Sequence, residues 1–454
     1  MIPPDRMASI VNCYSKQTLY DQALKSNSLD ILRYMIENGF PISNYTLVPA
    51  VKCGNIEMSK WFYEKGSPLS NYIFSEAVHS GDIEILKWLR EKKCPWNEQC
   101  CAVAAKHDYF DILKWLHDNE CPWDKWACTA AAENSHFEIL KWLHENGCPW
   151  GEWTLTCTRA TENGHFEILK WLHENKCPWD KWTCAGAAGN GHLEILQWLH
   201  ENGCPWDRYA CSGAAENGHI EILQWLHENG CPWDENTCTS AAKNGHFEIL
   251  KWLHENGCPW DEDTCANAAE NEHFEILKWL HENGCPWDEK TCSRAAANGH
   301  FEILKWLHEN GCPWNEGVYG SAARHGHFEI LKWLHENGCH RDISACDGAA
   351  KNGHFEILKW LHENGCPWYE HACSSVVNAG NFRILRWLHE NGCPWDENAT
   401  FIAAINGHLT IFQYLYKNGC PINERTLIAA ESAKSNNRPN ILKWLVENNI
   451  LHSQ

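Results

Sequence analysis

Cysteine and histidine are the side chains whose type and spacing could do chemistry in this chain. Its 454 residues include 26 Cys and 27 His, and most follow one pattern. Cysteines stand seven apart, as in Cys231/Cys238, Cys258/Cys265 and Cys285/Cys292, and a His stands four residues before most of the first cysteines, as His281 does before Cys285. Thiolate and imidazole together suit zinc. Zinc sites, however, usually announce themselves by roughly two to four residues between cysteines or three to five between histidines, and this spacing is neither. Gly284 also ends a helix between His281 and Cys285, so the two need not share a face. Free Cys behaves as a small buried hydrophobe. Equivalent cysteines of adjacent units are expected a helix spacing apart, beyond the ~7 Å reach of a disulfide. We therefore expect packing cysteines, with no metal and no cofactor. A metal- or redox-buffering Cys/His ladder is the alternative, and elemental analysis of protein purified without chelator separates the two.

Other chemistry is not announced. The string H-E-N-G-C is not the H-E-x-x-H of zinc proteases, and P-loop, G-x-G-x-x-G and G-x-S-x-G motifs are missing. Catalysis needs a unique constellation in a cleft, whereas these groups are copied along the chain, so no enzyme is expected. The formal charge of −21 disfavours nucleic acid and anionic membranes as partners. No apolar run approaches the roughly 18 residues of a membrane span, and the opening residues lack an apolar core of signal length. The cysteines are accordingly expected as reduced thiols in an intracellular, cytoplasmic setting.

The elements that must carry these residues are read from the repeat. The Trp of I-L-K-W-L and its variants falls at 88, 115, 142, 171, 198, 225, 252, 279, 306, 333, 360 and 387. Every step is 27 residues except 142 to 171, which is 29, through an insertion around Gly151–Thr156. Weaker copies at Tyr34, Trp61, Tyr414 and Trp444 bring the array to sixteen units. The expected organisation is an extension at 1–15, the array at 16–424, and a capping repeat and tail at 425–454, in a monomer.

In the copy Cys258–Gly284, Pro259 makes a turn and Asp261 is a good N-cap for a short helix running to about Asn271. Its Ala268-Ala269 pair lets a neighbouring helix come close. A second helix begins near His273 and ends at Asn283-Gly284. Phe274, Ile276, Leu277, Trp279 and Leu280 cover one broad arc of it, and Glu275, Lys278 and Glu282 form a narrow solvent arc. So wide an apolar arc needs neighbours on both flanks, which stacked copies provide. The fold class expected is an all-α solenoid of about sixteen helix-turn-helix repeats.

The string A-A-x-N-G-H-F-E-I-L-K-W-L-H-E-N-G, at Ala241–Gly257 and elsewhere, resembles the ankyrin repeat. The resemblance covers the end of the first helix, the tight turn, the second helix and its Gly cap. Ankyrin units run to about 33 residues with a β-hairpin finger; here the unit is shorter and T-C, as at Thr264-Cys265, stands in place of the T-P-L-H box. Reduced fingers follow, shrunk to the C-P-W-D turn. Longer TPR and HEAT units and the leucine-rich pattern fit worse. Short C-P-W-D arrays are similar to those of large DNA viruses of protists. The resemblance implies a scaffold or adaptor that binds protein partners through its concave face, host proteins if the chain is viral. It also implies an inter-repeat hydrogen-bonding role for the first His of each unit, such as His246, His273 and His300.

The Trp of I-L-K-W-L is expected in the core, and the Trp of C-P-W (Trp206, Trp233, Trp260) over the turn between units. The informative positions vary while the frame repeats. Just before T-C or its equivalent stand Gln99, Trp126, Trp182, Tyr209, Asn236, Asp263, Lys290, Ser344, His371 and Asn398. Trp126, Trp153, Trp182 and Tyr209 form an aromatic cluster around the 29-residue unit. Aromatic anchors are enriched at binding hot spots, so a partner-binding surface made of Trp126, Trp153, Trp182, Tyr209, Asn236, Asp263 and Lys290 is expected. The other reading is local filling around the insertion.

Overall fold

Within most repeats, an acid or amide starts the first helix and a left-handed residue follows its end. Asp124, Asp180, Asp207 and Asp234 each cap a helix by accepting a hydrogen bond from the backbone N–H two residues on. Asp261 and Thr264 form a capping box. The first helix of that copy runs Glu262–Glu270 and the second Phe274–Glu282, each followed by an Asn C-cap. This is the pair of elements read from the sequence, to within a residue.

The computed structural model describes residues 29–39, 42, 45–150, 155–342, 344–367, 370–435, 440–448 and 450. Among these there are 31 helices and no strand, so the finger is a plain turn. The insertion at 151–154 lies outside the described residues, and a first helix resumes at Leu155–Glu162. The chain divides into two compact units, Met1–Trp233 and Asp234–Gln454. In each, the first helices pack in succession and each second helix packs on its own first helix. The result in each unit is an all-helical solenoid, with its core spread along the repeats.

The two rows are spaced by different side chains. Paired alanines such as Ala187-Ala188 and Ala268-Ala269 are fully buried where first helices meet, so those helices come close. Second helices meet through long side chains. Phe137 stands edge-on to Trp171 at 5.7 Å, and Phe274 to Trp306 at 5.6 Å. Most of these Trp residues are half-buried, which corrects the expectation of a core position: each is a wall shared by two repeats. Such edge-to-face pairs contribute about 0.5–1.5 kcal/mol beyond burial.

The first His of each unit ties neighbours together. His192, His273, His300 and His327 donate from Nε2 to the carbonyl oxygens of Glu162, Lys243, Glu270 and Ala297 in the preceding repeat, at 2.9–3.2 Å. The ring passes over the glycine of that repeat. At Gly299, with φ +81°, an added Cβ would stand 2.6 Å from Cε1 of His327. Where an acid replaces the glycine, φ tightens to 60° at Asp108 and 63° at Glu272. The carboxylate then sits beside the ring, Asp108 3.7 Å from His136 and Glu272 4.0 Å from His300.

Candidate functional site

The cysteine–histidine ladder resolves into packing. In most described copies the His that precedes the C-P-W turn lies flat on the Trp of that turn: His200 on Trp206 at 4.0 Å and 10°, His281 on Trp287 at 4.0 Å and 11°. The same ring meets the Trp of the next repeat edge-on, as His281 does Trp306 at 5.7 Å. The imidazole is thus the middle of an aromatic sandwich that covers the turn. The cysteines face elsewhere. The first Cys of each turn points its thiol at the N-cap carbonyl of the previous repeat, Cys204 to Asp180 at 3.4 Å and Cys285 to Asp261 at 3.4 Å.

One cysteine contact was not foreseen. Non-equivalent cysteines twenty residues apart meet: Cys184 lies 3.9 Å from the carbonyl oxygen of Cys204, and Cys238 at the same distance from that of Cys258. In the pair Cys184/Cys204 the neighbouring Cys184 thiol, and then burial, pushes the Cys204 thiol far up. Comparing only equivalent cysteines hid this pair, although the spacing of seven in a 27-residue repeat leaves twenty on the other side. At one break in the frame Tyr319 takes the place of the second Cys, and its partner Cys339 is pushed up by burial and then by Glu316, to about 11. Among the described residues no three His, Cys, Asp or Glu side chains converge as a metal site would require.

The varying register lies on the row of first helices. In the unit Met1–Trp233 it exposes large aromatic rings at Trp126 (49 %), Trp182 (47 %) and Tyr209 (39 %). Trp182 and Tyr209 stack at 4.7 Å with 26° between planes. Lys181 Nζ lies 5.4 and 5.2 Å from the two ring centroids, and Arg208 lies 5.6 Å from that of Tyr209. Trp126 is placed differently. Lys125 stands 5.6 Å from its ring, and the ring walls a cavity of about 450 Å³ together with Tyr72, Glu76, His79, Lys106 and Arg159. Trp153 lies outside the described residues. Two further rings hold the same register: Tyr72 and Tyr45, exposed and edge-to-face at 6.0 Å. Counting back by 27 from Gln99 would have found both, but their units lack the T-C flag.

His79 and His107 border this region with Nδ1 and Nε2 3.1 Å apart. Burial, with Lys52, Lys106 and the second ring, lowers the His79 pKa despite Glu76. Burial and then Lys106 and His136 lower that of His107. Burial, followed by Glu76, raises the Tyr72 hydroxyl.

In the unit Asp234–Gln454 the same register is polar and engaged with itself. Asn236 donates to its own N-cap Asp234 at 3.0 Å. Lys290 lies 3.7 Å from Asp288 and 3.9 Å from Asp263, while Arg294 bridges Asp263 at 3.4 Å and Glu270 at 2.7 Å. Lys290 and Arg294 also line a wide cavity of about 860 Å³ with Lys243, Glu270, Asn298 and His325. Asp263 and Lys290 are thus brought together, Trp182 and Tyr209 are brought together, and Trp126 stands apart beside the cavity.

No helix among the described residues is long and apolar enough to cross a membrane. A comparison with curated proteins gives no match. Among solved structures, the ankyrin repeat domain of human ASB11 is 19 % identical with a TM-score of 0.30, over 35 % of this chain and 84 % of that one. The pentatricopeptide repeat protein PPR10 from maize is 11 % identical with a TM-score of 0.34, over 94 % of this chain and 87 % of that one. The family comparison reaches further. A model described as ankyrin repeats (3 copies) matches residues 184–264, 211–291, 292–372 and 370–453, and one described as ankyrin repeats (many copies) matches 101–144, 127–173 and 157–200. With these matches, the helix pair and the repeated Gly–His couple, the chain belongs to the ankyrin-repeat family.

Proposed function

We propose that this chain is a scaffold whose protein partner seats on the first-helix row of the unit Met1–Trp233, against Trp126, Trp182 and Tyr209. Ankyrin repeats in general are protein–protein interaction modules, and the fold is typically non-catalytic. What supports the finer reading is the stacked, exposed Trp182/Tyr209 pair. Packing does not need these rings outside, because the equivalent position elsewhere is filled by Asn236, Asp263, Lys290 or Gly317 without change to the helices around it. Large, stiff rings offer area at little entropic cost, which is why hot spots favour them. Trp153 falls in the same stretch of sequence and is assigned to the same surface. Asn236, Asp263 and Lys290 are assigned a secondary, polar contact surface in the other unit. An adaptor role towards host proteins, should the chain be viral, rests on the sequence resemblance alone.

The test is affinity purification of the full chain from the cell that expresses it, beside the Trp126→Ala/Trp182→Ala/Tyr209→Ala variant. A folded variant should lose the main co-purifying proteins. Equal recovery by both chains would remove the patch from consideration.

A further inference from the structure

The cysteine pairs go beyond what packing requires. Cysteines twenty residues apart occur in ten repeats, from Cys101/Cys121 to Cys373/Cys393. In nine of them the two thiols are immediate neighbours, as at Cys184/Cys204 and Cys265/Cys285. In the tenth, Cys238 lies 3.9 Å from the carbonyl oxygen of Cys258, the contact that Cys184 makes with Cys204. All are thiols and not disulfides. The inner position does not demand cysteine. Twenty residues before Cys94, Cys339 and Cys420 stand Phe74, Tyr319 and Thr400, and their first helices form as elsewhere. Two rings and a hydroxyl fill the same place, so packing alone does not call for a second thiol there.

The two members of a pair differ in access. The outer one, at the start of the C-P-W turn, keeps a small opening, 4 % at Cys204 and 5 % at Cys285, while Cys184 and Cys265 are wholly buried. Both stand on fixed elements. Cys184 lies in the first helix Lys181–Gly189, and Cys204 follows the second helix Leu193–Glu201. Every pair lies within one of the two compact units.

We propose that these pairs are sites of oxidative modification by hydrogen peroxide, each closing into a disulfide that staples a first helix to the turn after its own second helix. The outer thiolate attacks one peroxide oxygen. An S–O bond forms, the O–O bond breaks, and the departing hydroxide takes up a proton as water. The inner thiol then gives up its proton and attacks that sulfur. The S–S bond forms, the S–O bond breaks, and a second water leaves. Two thiols and one peroxide become one disulfide and two waters. The neighbouring thiol, and then burial, pushes Cys204 and Cys285 up, which keeps them protonated near neutrality and makes closure slow. Each finished bond closes a loop around one helix and constrains the unfolded chain, so the oxidised array is harder to unfold than the reduced one.

The test is peroxide treatment of the reduced full chain, with circular dichroism following its fold. The chain is then denatured in N-ethylmaleimide and mapped by mass spectrometry without reduction. Disulfides should link cysteines twenty apart, with Cys121 joined to Cys100 or Cys101, both of which neighbour it. Cys94, Cys339 and Cys420 should be recovered as maleimide adducts, and the oxidised chain should need more urea to unfold. Cys184→Ser should return Cys204 to the labelled set. Thr400→Cys, a change of little volume, should remove Cys420 from it by supplying the missing partner. Dithiothreitol should restore labelling at every pair. A folded chain that forms no disulfide, or sulfinic acids in their place, would overturn the proposal. So would disulfides that join the paired cysteines to other partners, or loss of Cys339 and Cys420 labelling as fast as that of the pairs.

Discussion

Replacing Gly299 by Ala should loosen the array far more than replacing Gly311, although both glycines close a helix of the same repeat. Each has a left-handed backbone, with φ +81° and +80°, and so each substitution costs about 1–2 kcal/mol of backbone strain. At Gly311 the new methyl meets nothing within 4 Å, whereas at Gly299 it meets Cε1 of His327 at 2.6 Å. That ring is anchored by its 2.9 Å bond to the Ala297 carbonyl, and displacing it forfeits a further 0.5–1.5 kcal/mol or so. The Glu272 copy shows how far the backbone can yield, through a φ of 63°, so the full clash will be relaxed and the hydrogen-bond loss sets the scale. Native-state hydrogen exchange is the suitable assay, because a long array need not unfold in one step. An extra 1 kcal/mol or so in local opening speeds exchange by about fivefold, and it should appear in 289–330 for Gly299→Ala only. In a His327→Ala background the two glycine substitutions should become equal. Equal exchange already in the natural background would refute the account of the Gly–His couple.

Three further outcomes are expected. Lys125→Glu should raise stability by about 0.3–1 kcal/mol, read by urea denaturation, since the cation stands at the positive end of its helix; a loss of stability would mean that it supports the fold. Tyr319 has a buried hydroxyl with no hydrogen-bond partner among the described residues, so Tyr319→Phe should be neutral or stabilising by up to about 1 kcal/mol. Acid should loosen the region of His79 and His107 first. Both pKa values are lowered in the fold, so the unfolded chain takes up protons first. The stability these groups contribute is present above the ordinary histidine range and is lost as pH falls through it towards the folded values. Faster exchange at 71–107 on going from pH 7.5 to 5.5, reduced by His79→Gln/His107→Gln, is the readout; unchanged exchange would count against it.

Much of this molecule could be read from its sequence because each repeat states the same facts again. The helix limits around Asp261 and His273, the solvent arc of Glu275 and Lys278, and the loss of the finger follow from local rules that neighbours do not override. The contacts that were missed join different repeats at unequal register. Cys184 and Cys204 are twenty residues apart rather than 27, and Trp279 is a wall between repeats rather than core, because its edge is needed by His254 and Phe247. The site was legible as a departure from repetition at Trp126, Trp182 and Tyr209. Its engagement was not: sequence alone does not show that Trp182 stacks on Tyr209, or that Asp263 and Lys290 pair with each other.

Site-specific photo-crosslinking tests the central claim most directly. A photoreactive phenylalanine is placed at Trp182 and, for comparison, at Glu275, whose carboxylate is exposed on a second helix. Both chains are irradiated in the cell that expresses the protein. Protein adducts should form from position 182 and not from 275. Adducts from 275 alone would place the partner on the opposite row and contradict the account.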